Sequence, residues 1–186
     1  MKLALTLASA TALSLALAAP AQAEVFDFDK SHTQILFEYD HLGYSITQGS
    51  FGEWEGTLVV DADDPTASSL EVTIQTASID TGFEGRDDHF RSADFFDVEA
   101  FPVATFVSTQ VEQTGEDSLA VTGDLTILGT TQPVTLDVVV NTLSPHPMTN
   151  QLTLGFTATT QISRTDFGLG LYAPAIGDEV SIRISG

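Results

Sequence analysis

Apolar and polar residues alternate with a period of two along most of the chain beyond residue 24, the pattern of half-buried β-strands. Val25-Phe26-Asp27-Phe28-Asp29 places both Phe on one face and both Asp on the other. Gln34–Tyr39 groups Ile35, Phe37 and Tyr39 in the same way. Further strands are predicted over Ser45–Phe51, Glu53–Asp61, Leu70–Ile79, Val103–Val111, Leu119–Ile127, Gln132–Leu143, Gln151–Ser163 and Glu179–Ile184. Gly43, Gly52, Asp63-Asp64-Pro65, Gly115-Glu116-Asp117, Gly129, Ser144–Pro147 and Gly177-Asp178 separate them as turns. Many short strands at this spacing, rich in Thr and Val, predict one all-β domain, either a sandwich or a closed antiparallel barrel. Gly82–Phe101 breaks the alternation and mixes charge with aromatics. Arg86–Ser92 fits one or two helical turns, and Ser92 can cap another turn at Phe95-Phe96. Four of the Phe in this connection (90, 95, 96 and 101) must cover something, either a barrel end or a ligand.

The first residues follow a different rule. Met1-Lys2 is a short positive start, Leu3–Ala19 is an apolar run, and Pro20 followed by Ala21-Gln22-Ala23 is a cleavage signature. This is a secretory signal peptide over 1–23, which leaves Glu24–Gly186 as the mature domain and predicts a periplasmic location. No later apolar run approaches the length of a membrane span. The formal charge is −20, from 6 Lys+Arg against 26 Asp+Glu, and loss of Lys2 makes the mature chain one unit more negative. So few cations exclude a nucleic-acid surface, because phosphates need Lys and Arg to displace their counterions. They also argue against an anionic membrane surface. With 0 Cys, disulfides and thiolate chemistry are excluded, so core burial alone must hold the fold.

Catalytic and metal patterns are thin. His32, His41 and His89 lie near Asp29, Asp40, Asp87 and Asp88, which suggests a metal-dependent or hydrolytic enzyme. No two of them have the close spacing of a local metal motif, and hydrogen bonds to loop backbone at strand ends are the plainer explanation of His32 and His41. No G-x-S-x-G occurs. Asp61–Pro65 lacks the Gly and Glu of a calcium loop and reads as a turn. Arginine is scarce, at 86, 91, 164 and 183. An Arg among clustered Phe residues implies either a buried Arg–Asp pair or an anchor for a polar ligand head.

Ten segments in order resemble the YceI family. They are Asp29–Ile35, His41–Ser45, Gly49-Ser50-Phe51, Ser78–Gly82, Arg86–Ser92, Asp94–Asp97, Phe101-Pro102, Thr122–Ile127 with Gly129 and Pro133-Val134, Arg164–Gly168, and Gly177–Val180. The departures are small: Thr33 stands where Ser is usual and Phe90 where Leu is usual. The resemblance implies a lipocalin-like antiparallel β-barrel of about eight strands, with the Arg86–Phe101 insert packed over it. It also implies a long apolar channel holding a long-chain amphipathic lipid, such as an isoprenoid quinone, an isoprenoid phosphate or a fatty-acid derivative. No enzymatic activity and no cofactor other than that lipid are expected.

On this reading the channel residues are Phe37, Phe51, Trp54, Ile74, Phe90, Phe95, Phe96, Phe106, Leu125, Phe156 and Phe167, with Arg86, His89, Arg91 and Arg164 as polar candidates. The large negative charge favours a quinone or fatty-acid-like ligand over a pyrophosphate. The other readings are the histidine enzyme and a ligand-free structural or stress-response barrel whose Phe residues are plain core. A homodimer would need an exposed edge or apolar patch, which the sequence does not reveal.

Overall fold

The structure, a computed structural model, describes residues 23–186. The signal-peptide segment therefore lies outside the described residues, apart from Ala23. The described chain is one antiparallel sheet of eleven strands that curls into a half-barrel, with one short helix. The strands are β1 (Glu24–Phe26), β2 (Gln34–His41), β3 (Ser45–Phe51), β4 (Trp54–Val60), β5 (Ser69–Gln75), β6 (Ile79–Asp80), β7 (Val103–Gln113), β8 (Ser118–Ile127), β9 (Thr130–Pro145), β10 (Leu152–Ser163) and β11 (Ile176–Ser185). The helix α1 spans Glu84–Arg91. The predicted strands fall on these elements, and the strand count exceeds the expected eight.

Two of the extra strands, β1 and β6, are only 3 and 2 residues long. They form the two edges of the sheet, whose order is β1-β4-β5-β7-β8-β9-β10-β11-β2-β3-β6. Short edges leave few unpaired backbone groups for another chain to use. β3 and β4 are consecutive in sequence yet do not pair in the sheet. That seam is closed at one end by Gly52 N–H donating to Ser78 O (3.2 Å) and Gln75 N–H donating to Glu53 O (2.9 Å). Phe28 also packs edge-on against Trp54 there, with ring centroids 5.2 Å apart.

The stretch Leu70–Ile79 was expected as one strand and is two. Thr76 breaks it: its N–H and hydroxyl donate to Pro102 O and Phe101 O, both at 2.9 Å. This bends the chain through a 3-10 turn at Thr76–Ser78 and ties the start of the insert to its end.

Side-chain alternation sets which face looks inward. On β10, Leu154, Phe156, Ala158, Thr160 and Ile162 all face the interior, and on β11 so do Val180, Ile182 and Ile184. On β7 the parity changes, from Ala104 and Phe106 to Val111 and Gln113. The cause is the irregularity between Ser108 and Gln110 in the β7–β8 register. Two glycines make room for inward aromatics. A Cβ at Gly49 would lie 2.4 Å from Phe37 Cζ, and one at Gly123 would lie 2.4 Å from Phe106 Cζ and 2.6 Å from Val107 O. Both positions therefore require Gly for close approach rather than for a special backbone angle.

Candidate functional site

The sheet wraps a cavity of about 810 Å³ with almost entirely apolar walls. β-branched and Leu residues of β8 to β11 form one wall, and the aromatics form the other with the insert. Phe37 and Phe51 pack at 5.6 Å, Phe51 and Phe96 at 5.8 Å, and Tyr39 and Phe90 at 6.2 Å. Phe37, Phe51, Phe90 and Phe156 face this interior yet remain only half-buried, because their rings border open space rather than packed atoms. A filled core would bury them completely, so the interior is not the filled one that the structural-barrel reading predicts.

Most of the residues expected from sequence come together. Phe37, Phe51, Trp54, Ile74, Phe90, Phe95, Phe96, Phe106, Leu125, Phe156, Arg86, His89 and Arg164 all border the cavity. Phe167 and Arg91 do not. Phe167 is 2% exposed and packs into the core cluster with Ile127 and Leu169, held in a tight 3-10 turn at Arg164–Phe167. Arg91 is a strut outside the cavity. Its Nε donates to Ala77 O (2.9 Å), its Nη2 to Ile79 O (2.7 Å) and its Nη1 to Asp88 (3.2 Å), which pins α1 to the β5–β6 connection.

The expected choice between an Arg–Asp pair and a ligand anchor resolves differently at each arginine. Arg164 is buried but pairs with no carboxylate. Its guanidinium donates to Gly177 O (2.9 Å), Leu171 O (3.0 Å), Ile176 O (3.0 Å) and Leu169 O. Burial pushes its pKa below the ordinary arginine value, and Asp178 opposes that shift. Arg86 donates from Nε to Thr81 Oγ1 and from Nη2 to Thr81 O, both at 2.7 Å. Thr81 in turn donates its N–H to the buried Asp87 Oδ1 at 2.9 Å and its hydroxyl to the same oxygen. This relay fixes the entrance to α1 and leaves Arg86 Nη1 without a protein partner.

The three histidines are not gathered. Among the described residues, no group of three or more His, Cys, Asp or Glu side chains is placed to hold a metal. His32 Nδ1 meets Asp29 Oδ2 at 2.7 Å in an exposed turn. The Ser31 hydroxyl, then His32 and the Ser31 amide, hold the Asp29 carboxyl at about 2. His89 Nε2 meets Asp94 Oδ2 at 3.0 Å while its ring packs on Phe95 at 5.0 Å. His41 closes β2 opposite Ser45 and borders the cavity.

The sequence reading named Arg86 and His89 for the cavity but missed Tyr39, His41 and Tyr172 beside them and the polar group at the other cavity end. At the insert end, Tyr39, His41, Arg86, His89 and Tyr172 border the space. His89 and Tyr172 rings lie 6.3 Å apart, and Ile176, opposite His41, donates its N–H to Tyr172 O at 2.9 Å. At the other end stand Asp61, Gln113, Glu116, Asp117 and Asn141. Tyr172 sits in an irregular loop with no periodic pattern, so no sequence signal placed it there. No helix of the described residues is long and apolar enough to cross a membrane.

Comparison with known proteins agrees with this architecture. The YceI-like domain matches residues 26–186. A UPF0312 protein of Pseudomonas savastanoi is 41% identical over 145 residues, covering 78% of this chain and 75% of that one. The crystal structure of Burkholderia cenocepacia BcnA superposes with a TM-score of 0.78 at 28% identity, covering 86% of this chain and 98% of that one. A polyisoprenoid binding domain from Saccharophagus degradans shares the fold at a TM-score of 0.55 and 15% identity, covering 82% and 91% of the two chains. The chain belongs to the YceI-like family.

Proposed function

We propose that this protein is a non-enzymatic carrier that holds one long-chain isoprenoid or similar amphipathic lipid in the barrel cavity. We further propose that it does so in the periplasm, after removal of residues 1–23. The cavity carries the reading: about 810 Å³ with apolar walls. Such a space is of the size that takes a small or medium ligand. Each buried CH₂ contributes about 0.8 kcal/mol, so a few isoprene units give tight binding with little help from polar groups. The fold shared with a domain described as polyisoprenoid binding points the same way.

The polar groups favour a neutral or singly charged head. The Arg164 guanidinium is spent on four carbonyls and Arg91 stands outside the cavity. Among the described cavity residues, Arg86 is the one guanidinium with a nitrogen, Nη1, that has no protein partner, and one cation does not neutralise a pyrophosphate. A quinone or a fatty-acid-like lipid fits better.

The single tryptophan gives a direct assay, since Trp54 is 6% exposed and borders the cavity. Titrating delipidated protein with a quinone bearing four isoprene units is expected to quench Trp54 fluorescence saturably, at one quinone per chain. Linear, unsaturable quenching would contradict cavity binding. Arg86→Gln is expected to weaken a C18 fatty acid by about tenfold, as loss of one charge-assisted hydrogen bond does, and to leave the quinone nearly unchanged. If replacing Arg86 and Arg91 together spares an isoprenoid pyrophosphate and abolishes the quinone, the head-group argument is wrong.

A further inference from the structure

The β9–β10 hairpin extends past both of its neighbours. β9 pairs with β8 only as far as Val139, opposite Ser118, and β10 pairs with β11 only from Thr157, opposite Ser185. One further backbone bond on the β8 side, Val140 N–H to Asp117 O (2.8 Å), and a reciprocal pair on the β11 side, Phe156 N–H to Gly186 O (2.8 Å) and Gly186 N–H to Phe156 O (3.1 Å), end the contact with the barrel. Beyond these, Thr142 to Pro145 pairs only with Leu152 to Gly155. The arm closes in a turn where His146 N–H donates to Gln151 O at 2.7 Å. At about 3.3 Å per residue, it projects on the order of 15 Å.

Its composition is unlike the rest of the chain. Val138 to Ser163 holds no Asp, Glu, Lys or Arg, in a protein with 26 acids. No other charge-free run beyond residue 24 reaches half that length. The arm instead exposes apolar side chains: Met148 is 87% exposed at the tip, with Leu152 and Leu143 exposed behind it. Its base also forms the rim of the cavity, through Asn141, Leu143 and Leu154. The insert end of the cavity also exposes apolar side chains, among them Leu42, Tyr44, Phe83 and Tyr172, but there they are interspersed with Asp40, Asp88, Asp94 and Asp178.

We propose that the β9–β10 arm docks the protein on an electrically neutral lipid surface and that ligand passes between that surface and the cavity along its base. The inference rests on the lipid-carrier reading. Three observations select the occupant: the missing charge, the exposed Met and Leu, and continuity with the apolar interior. A charge-free arm with apolar tips can enter a headgroup layer without desolvating an ion. Glu116, Asp117 and Asp61 at the same end set the preferred surface as zwitterionic, because anionic headgroups repel them. A protein acceptor is the competing occupant, and the test separates the two.

The experiment follows Trp54 quenching in stopped flow. The same four-isoprene quinone is presented either from ethanol dilution or from phosphatidylcholine vesicles. The variants are Met148→Glu, Leu152→Glu and the pair together. Both positions are exposed, and unchanged thermal melts show that the fold is intact. The expected result is unchanged affinity from dilution but vesicle loading slowed at least about tenfold in the double variant, as loss of two buried apolar anchors predicts. Adding phosphatidylglycerol to the vesicles is expected to slow loading of the unmodified protein. Wild-type loading rates in the double variant would overturn the proposal and leave a protein partner for the arm. Failure of the unmodified protein to bind quinone from dilution would instead overturn the carrier reading, and this inference with it.

Discussion

Arg164→Met is expected to destabilise the mature protein by about 3–5 kcal/mol, because it removes a buried guanidinium that four carbonyls share. Arg164 is 7% exposed, and its guanidinium gathers the carbonyls of Leu169, Leu171, Ile176 and Gly177. Leu169 and Leu171 lie in the irregular chain between β10 and β11, and Ile176 and Gly177 open β11 where its register with β2 is interrupted. Methionine fills much of the same volume but offers no donor, so all four carbonyls lose this partner. For a domain of this size, the melting temperature should fall on the order of 10 °C, read by circular dichroism. Arg164→Lys should recover only part of the loss, since one ammonium cannot span the planar fork of five N–H groups. A melt within a degree or two of the unmodified protein would show that the loop is held by other contacts. The same loop carries Tyr172 to the cavity, so binding should weaken along with stability.

Ala158→Phe is expected to lower lipid affinity by about a hundredfold while leaving the fold stable, because it displaces three or four CH₂ groups of the bound chain at about 0.8 kcal/mol each. Ala158 is 3% exposed and faces the cavity from β10. Its neighbours across the sheet are Val138 and Ile184, which face the same space. A phenyl ring there points toward the cavity, so part of its added volume enters open space and the usual penalty for overfilling a core is reduced. Saturable Trp54 quenching checks affinity and a thermal melt checks stability. Undiminished binding with an unchanged melt would place the ligand elsewhere. A large loss of stability would show that the space at Ala158 is smaller than the cavity described above.

Period-two alternation located nearly every strand, because one face of each looks into an apolar interior and the other into water. Ser45–Phe51 matches β3 residue for residue. Alternation alone did not choose the inward face, since a one-residue slip inverts it; the structure puts Phe37, Ile74, Phe106 and Phe156 on the cavity side of β2, β5, β7 and β10. Alternation failed where pattern gives way to particular hydrogen bonds. The bend at Thr76 is made by two bonds to Phe101 and Pro102, remote in sequence. The carbonyl cage of Arg164 likewise uses backbone atoms, which have no sequence signature. Phe167 looked like a channel residue by composition and is instead core, since the tight turn that follows Arg164 carries it away from the cavity. The projecting arm was visible as two strands, but its lack of neighbours emerges only from strand pairing.

Native mass spectrometry of gently purified mature protein, with organic extraction and metal analysis of the same sample, tests the central claim most directly. The account predicts one long-chain lipid per chain, of defined mass, released by extraction, with loss of that adduct in Ala158→Phe. An apo mass without lipid, or a stoichiometric transition metal in its place, would contradict it.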